Sequence, residues 1–335
     1  MRRYSIRVLW LVGVLLLFSN TWVGAEVNDL LLGMITGDVN STAYRFGEDI
    51  RTLVHPYGID LVLYHSHGDI ENIDAVYQRP GNHLGLVASD VLAFVRKVEA
   101  NPQLTLIANK IKWVLPLYDQ DVHLVGNVQI HAFNDLAGRR VAIGDAQSGA
   151  NLTSRLLFEL TGIKPLELVA VGGGQALAAL RDGRIDAMIV VDGSPVDWLS
   201  LWVSAVDRLH LIPITEAPVR TFYPVSRIPA GTYPWQATDV ETVSVKTVLV
   251  AYDFRNQYCN SIGKVAWLIR ENLKWLRQHG HPKWKTVNGN ESVKGWEPYE
   301  CVLDYMPGPH DEHNVPLSDS PSNPVVDAIR AVFQP

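Results

Sequence analysis

Four short polar stretches gather side chains able to do chemistry: Thr36-Gly37-Asp38-Val39-Asn40-Ser41-Thr42, His65-Ser66-His67-Gly68-Asp69, Ser89-Asp90 and Gln147-Ser148-Gly149-Ala150-Asn151. Each is rich in helix N-capping residues, and each offers hydroxyl, amide, imidazole or carboxylate groups for a small polar solute. One such stretch alone reads as ordinary capping. Four with the same chemistry point to a binding site, and free amides at helix N-termini suit a small anion.

Other patterns are formally catalytic. Ser148 follows Ala146-Gln147, so the glycine-flanked nucleophile elbow is absent, and no Cys, His, Asp set has a recognisable order; an exported hydrolase is a distant alternative. His65 and His67 are two apart, as are His279 and His281, and His310 and His313 lie three apart, yet no spacing supplies a third metal ligand. No metal is expected, and His65 and His67 read as donors to a solute. Gly172-Gly173-Gly174 follows an apolar run, opens a helical pattern and has Asp192 about twenty residues on, near the dinucleotide fingerprint. Its third glycine position is filled by another residue and it stands late in the chain, so a Gly-rich cleft or hinge turn is the better reading and no cofactor is expected.

The elements that must position these stretches alternate along the chain. Apolar runs at residues 30–32, 61–63, 84–87, 141–143, 168–171 and 187–191 read as strands buried on both faces. Between them Ala43, Phe46, Ile50, Leu53 and Val54 follow helical spacing, as do Ile70, Ile73 and Tyr77, and Leu152, Leu156 and Leu160; Gly183 closes a helix over 175–180. Strand and helix repeated this often predict an α/β protein with largely parallel sheets. The polar stretches fall at the carboxyl ends of the strands, where they converge on one crevice.

Composition narrows the class. The chain has 335 residues, 19% charged and 47% hydrophobic, with 2 Cys, which excludes a disordered chain and a disulfide-dense miniprotein. Arg2, Arg3 and Arg7, an apolar run over 8–18 and the small residues Val23-Gly24-Ala25 predict a secretory signal peptide over 1–25, cleaved after Ala25. The run is shorter than the ~20 residues of a membrane span, so export and release to the periplasm are expected. The mature chain would carry 26 basic and 35 acidic residues, net −9, and no basic run marks a nucleic-acid partner.

Residues 36–47 (Thr36-Gly37, then Asn40-Ser41-Thr42-Ala43-Tyr44 to Gly47), Gly85-Leu86-Val87-Ala88-Ser89-Asp90-Val91, Asp135-Leu136-Ala137-Gly138-Arg139-Arg140-Val141-Ala142-Ile143-Gly144 with Ser148-Gly149, and Ile228-Pro229-Ala230-Gly231-Thr232-Tyr233-Pro234-Trp235-Gln236 resemble the TAXI family of solute-binding proteins of TRAP transporters. The likeness covers about 29–280. It implies a type II periplasmic binding protein: two α/β lobes with a ligand cleft between them, lobe 1 at 26–122 plus 222–335 and lobe 2 at 123–221, with crossings near 121–125 and through 222–234. It implies no enzymatic chemistry, a monomer, and delivery of the solute to membrane subunits driven by an ion gradient. A sensor presenting its closed form to a receptor or histidine kinase is the alternative.

Carried over, the ligand contacts would be Thr36, Asn40, Ser41, Thr42 and Tyr44 in the first cleft loop, His65 and His67 in the second, Ser89 and Asp90 in the third, and Ser148, Gly149, Ala150 and Asn151 opposite. Arg155 would grip a carboxylate or else form a lobe-packing ion pair. Ala43 stands where the family commonly has an aromatic residue, Arg45 where it has Pro, Asn40-Ser41 where it has Gly-Gly, Ala88 for Gln and Gln120 for Glu. These departures separate the chain from the family's glutamate-type ligands. The added Arg and the missing Glu raise the positive potential, and the expected solute is a small organic acid of the dicarboxylate or acidic amino acid type.

Past about residue 280 the likeness ends. Trp284, Trp296, a Pro-rich stretch over 307–324 and a short amphipathic turn over 325–332 read as a strap lying over a lobe. In an oxidising compartment Cys259 and Cys301 would form a disulfide holding that strap; the alternative is two buried thiols.

Overall fold

The computed structural model describes residues 30–97, 107, 110–253, 257–293 and 296–303. The expected signal peptide and the Pro-rich end of the strap lie outside the described residues. In chain order the elements are β1 (Leu30–Ile35), α1 (Thr42–Val54), β2 (Ile59–Tyr64), α2 (Asp69–Gln78), β3 (Leu84–Ala88), α3 (Ser89–Lys97) and β4 (Ile111–Gly126). There follow β5 (Arg140–Ala142), α4 (Gly149–Thr161), β6 (Glu167–Val169), α5 (Gly173–Arg181), β7 (Ala187–Asp192), α6 (Asp197–Trp202) and β8 (His210–Ile212). The chain continues through α7 (Ala217–Phe222), β9 (Val225–Ile228), β10 (Val240–Tyr252), α8 (Gln257–Glu271), α9 (Leu273–His279) and α10 (Glu300–Leu303).

The strands lie in the order β2-β1-β3-β10-β4-β7-β5-β6, with β8 on β4 and β9 on β10. The parallel runs expected from the apolar pattern are there: β1 pairs β2 and β3, and β5 pairs β6 and β7, all parallel. Strand β6 differs from expectation in being an edge, its residues exposed or half-buried rather than covered on both faces.

Two long antiparallel strands, β4 and β10, join these parallel sets and carry polar residues through the middle of the sheet. Along β4, residues 111–121 pair with β10, while Asp121 to Gly126 pair with β7. Because β3 runs antiparallel to β10 and β7 antiparallel to β4, the carboxyl ends of both parallel sets point at the same place, the middle of β4 near Gln120 and Asp121. The strand-to-helix loops of both parallel sets therefore open there. The polar residues interrupting these strands are used: Thr242 Oγ1 donates to the Val122 carbonyl (2.5 Å) and Gln120 Nε2 to Thr247 Oγ1 (2.9 Å).

Each half has its own core. Phe46, Ile50, Leu61, Leu115, Val265 and Trp284 pack under the first, and Leu177, Met188, Leu199, Leu211, Ile228 and Tyr233 under the second. A third cluster, running from Ile35 and Val87 to Ile143 and Leu156, continues from one half into the other. Ile228, Tyr233 and Val240 belong with the second half, because β9 pairs only with the start of β10. The return between halves is thus β10 itself, later than the expected 222–234. Among the described residues no helix is long and apolar enough to cross a membrane.

The segment after residue 280 is fastened to the first half by its tryptophans. Trp284 stacks on Phe46 at 4.2 Å and donates to Asp49 (2.7 Å). Trp113 Nε1 donates to the Trp296 carbonyl (3.1 Å) while Trp296 Nε1 donates to the Ile111 carbonyl (3.0 Å). Cys259 of α8 is bonded to Cys301 of α10, with Cα atoms 5.4 Å apart. A cross-link over 42 residues is worth about 4 kcal/mol in the chain-entropy treatment. The protein isolated under oxidising conditions and denatured without reductant should accept no alkylating groups and two after reduction; two before reduction would mean the thiols are unlinked.

Candidate functional site

Where the loops converge there is a cavity of about 540 Å³. Its first-half wall is the turn from Thr36 to Ser41 with His67 to Asp69; its second-half wall is Gly144, Asp145, Ser148 to Ala150 and the glycine turn Gly172 to Gln175. Tyr118, Gln120, Thr247 and the end of β7 form the floor, and Trp198 and Trp202, one turn apart on α6, form an aromatic side. Their ring centroids are 5.9 Å apart.

The two facing turns are built alike. Gly37-Asp38-Val39-Asn40-Ser41-Thr42-Ala43 and Gly144-Asp145-Ala146-Gln147-Ser148-Gly149-Ala150 share Gly-Asp, then Ser three residues after the Asp, at the start of a 13-residue helix. Ser41 Oγ donates to the Asp38 carbonyl (2.6 Å) and accepts from the Tyr44 amide (3.2 Å). Ser148 Oγ donates to the Asp145 carbonyl (2.7 Å) and accepts from the Asn151 amide (3.2 Å). Each serine caps its helix and leaves the next amide pointing across the cleft.

Those two amides are met by carboxylates of the opposite half. The Thr42 N–H lies 3.2 and 3.3 Å from the two Asp192 oxygens at the end of β7, and Thr42 Oγ1 donates to the Gly193 carbonyl (3.0 Å). The Gly149 N–H donates to Asp69 Oδ2 (2.9 Å), whose other oxygen accepts from Ala88 (2.5 Å). Beside it, the Ile70 N–H donates to the Gln147 carbonyl (3.2 Å). Residue 149 must be glycine for this approach: a Cβ would stand 2.3 Å from Asp69 Oδ2. Gly68, at φ +133°, is equally constrained, its Cβ position lying 2.7 Å from Ser148 Cα.

Of the expected contacts, Thr36, Asn40, Ser41, His67, Ser148, Gly149 and Ala150 line the cavity. Thr42, Tyr44, His65, Ser89, Asp90, Asn151 and Arg155 do not. Thr42 is spent on closure. Asp90 is buried between α3 and α4, accepting from Thr153 Oγ1 (2.7 Å) and Tyr223 OH (3.1 Å). Asn151 donates to the Gly144 carbonyl (3.2 Å) and accepts from Arg155 Nε (2.9 Å), so the guanidinium is held along its own helix. Arg45 turns outward to Glu48 (2.9 Å) and Asp197 (3.6 Å). The positive groups expected to favour an acidic solute therefore stand outside the cavity, whose described lining has Asp38, Asp69, Asp145 and Asp192 and no Lys or Arg.

Tyr118, Asp145, Trp198 and Trp202 line the cavity without having been expected there, while Asp69 stood in the second polar stretch and Asp192 only in the glycine-rich motif. The repeated Gly-Asp turn and the i, i+4 tryptophans were the available signals. The pairing of Asp69 and Asp192 with amides about 80 and 150 residues away was invisible before folding.

At the hinge, Asp121 accepts from Ser226 Oγ (2.6 Å), Ser194 Oγ and Lys283 Nζ (2.5 Å). Burial alone would raise its pKa, but the adjacent Lys283, with His123 and these hydrogen bonds, holds it below the usual carboxylate range. Next to it the Val196 N–H donates to Tyr233 OH (3.1 Å), which lies 2.7 Å from His123 Nε2. Burial drops the His123 pKa to about 4, so the ring is neutral and accepts from the tyrosine at Nε2, its Nδ1 donating to the Asp121 carbonyl (2.9 Å).

Burial raises Asp192 to about 6 despite the Gly193 and Thr42 hydrogen bonds, and it raises Asp69. A carboxylate with a raised folded-state pKa favours the folded form most at low pH and loses that contribution as pH rises through the folded value. For Asp192 the loss by neutral pH is about 3 kcal/mol. Asp192→Asn keeps an acceptor for Thr42 without the buried charge. It should melt higher than the parent at pH 8, the gap shrinking toward pH 4; a variant that melts lower at pH 8 would show that the charge itself is needed for stability.

The NMT1-like family model matches residues 34–296. In fold the chain is similar to a structure described as a periplasmic transporter, at 14% identity over 82% of this chain and 92% of that one, TM-score 0.54. It is likewise similar to the periplasmic binding protein BugD, at 10% identity over 90% and 94%, TM-score 0.52. XAC2383 from Xanthomonas citri, bound to chloride ion, matches at 10% identity over 91% and 98%, TM-score 0.51. The fold is that of the type II periplasmic binding proteins, two α/β lobes around a ligand cleft.

Proposed function

The chain belongs to the NMT1-like family, and from that premise we propose that it is an exported solute-binding protein that encloses one small organic solute between its lobes and carries no catalytic activity. The observation that carries this reading is the cavity at the middle of β4, walled by loops from both halves, which only two long strands connect. At about 540 Å³ it falls within the 300 to 1,000 Å³ usual for small-molecule sites. Lobe 1 is residues 26–122 with the chain after β10, and lobe 2 lies between; β4 and β10 serve as the hinge.

Such a site works as a clamp. A solute that touches both walls binds the closed arrangement better than the open one and so shifts the balance toward it. The closed form then presents a surface that the open form lacks. The motifs shared with the TAXI family favour the membrane subunits of a TRAP transporter as the recipient, with the periplasm as the place of capture.

A bound solute should raise the melting temperature, since a ligand that binds only the folded form adds about 2.7 kcal/mol at a hundredfold excess over Kd. A thermal-shift screen of the purified protein with organic acids, amino acids, amines and sugars should yield one chemical class that does so. No shift from any class would count against a solute-binding role.

A further inference from the structure

From the cavity between the two walls, its four carboxylates and its paired indoles, we infer that the solute is a small organic cation, an ammonium or guanidinium carried on a compact skeleton, and not an organic acid. The inference rests on the solute-binding reading above and names the chemistry of the same site. Asp38 and Asp145 occupy equivalent places in the two facing turns, and Asp69 and Asp192 lie at the junctions of the walls. Helices α1, α2, α4 and α5 start at this cavity and supply together about two positive charges at their N-termini, so the four carboxylates leave about two negative charges in excess. The two carboxylates that meet helix amides, Asp192 on Thr42 and Asp69 on Gly149, also occupy the positions an anionic solute would need.

Two further observations agree. Tyr118 is fully buried and borders the cavity, and among the described residues its hydroxyl makes no close hydrogen bond, Thr247 being the side chain beside it. The hydroxyl lies in the field of Asp192 and Asp69, so it is placed to accept from a solute N–H. Trp198 and Trp202 offer indole faces, the aromatic surface that attracts cations most strongly. Gly174 sets the spacing there, since a Cβ would come 3.3 Å from the Trp202 ring.

The test is calorimetric titration of the purified protein with agmatine and choline, with succinate and L-glutamate, and with D-glucose, followed in parallel by tryptophan fluorescence. One of the two cations should bind with saturation and change the fluorescence. Asp192→Asn and Asp145→Asn should each weaken it at least tenfold, and Trp202→Ala severalfold, with the parent's melting profile showing that each variant is folded. Asp145→Asn is the exposed alternative should the buried variant fail to fold. Binding of an acid or of glucose without either cation, or equal affinity of the cation for the aspartate variants, would overturn the charge assignment and leave the solute-binding reading standing. Absence of binding by all five compounds would count against both.

Discussion

Two backbone amides at the starts of two helices, each received by a carboxylate of the other lobe, hold the molecule in the arrangement described here. Thr42 points at Asp192 and Gly149 at Asp69. A helix start concentrates unsatisfied N–H groups and partial positive charge, so a carboxylate placed there gains on the order of 1 to 2 kcal/mol when partly buried. Since the carboxylates are buried, the same contacts carry a desolvation cost that outweighs this gain once the groups ionise, seen in the raised pKa of both. In the two-lobed clamp proposed above, the cross-cleft bonds favour closure and the buried charge opposes it. A cationic solute would tip that balance by compensating the charge without displacing the bonds.

The hinge is neutral or paired where the cleft is not. Asp121 has Lys283 beside it, and His123 is uncharged and engaged through Tyr233 with the loop after β7. Lys283 comes from the segment after residue 280, which Trp284 and the Cys259–Cys301 bond fasten to the first half. The strap therefore has a structural role beyond covering a surface, since it delivers the counter-charge to the point where the lobes meet.

How much of this could be read from the residues depended on range. Apolar runs followed by capped helices disclose the parallel strands and the loops after them, because hydrophobic periodicity and N-caps are local signals. The long strands β4 and β10 escape the same reading: Asp119, Gln120 and Asp121, or Glu241 and Lys246, break their apolar pattern, and their polar groups are satisfied only by partners far along the chain. Half of the residues expected in those loops line the cavity, and the charge around them is not the positive one expected. An N-terminal amide looks free in sequence, and only the folded chain shows Asp69 and Asp192 arriving to fill it. Arg155 and Arg45, read as positive potential for a solute, prove committed to Asn151 and to Glu48 and Asp197.

The claim that reciprocal carboxylate-to-amide contacts close the cleft is tested most directly by solution scattering without added solute, comparing the parent with the Asp69→Ala, Asp192→Ala double variant. A larger radius of gyration is expected for the folded double variant, because both cross-cleft carboxylates are gone while Asp121 and the hinge strands remain. Identical radii for the two proteins would contradict it and place the closing force elsewhere.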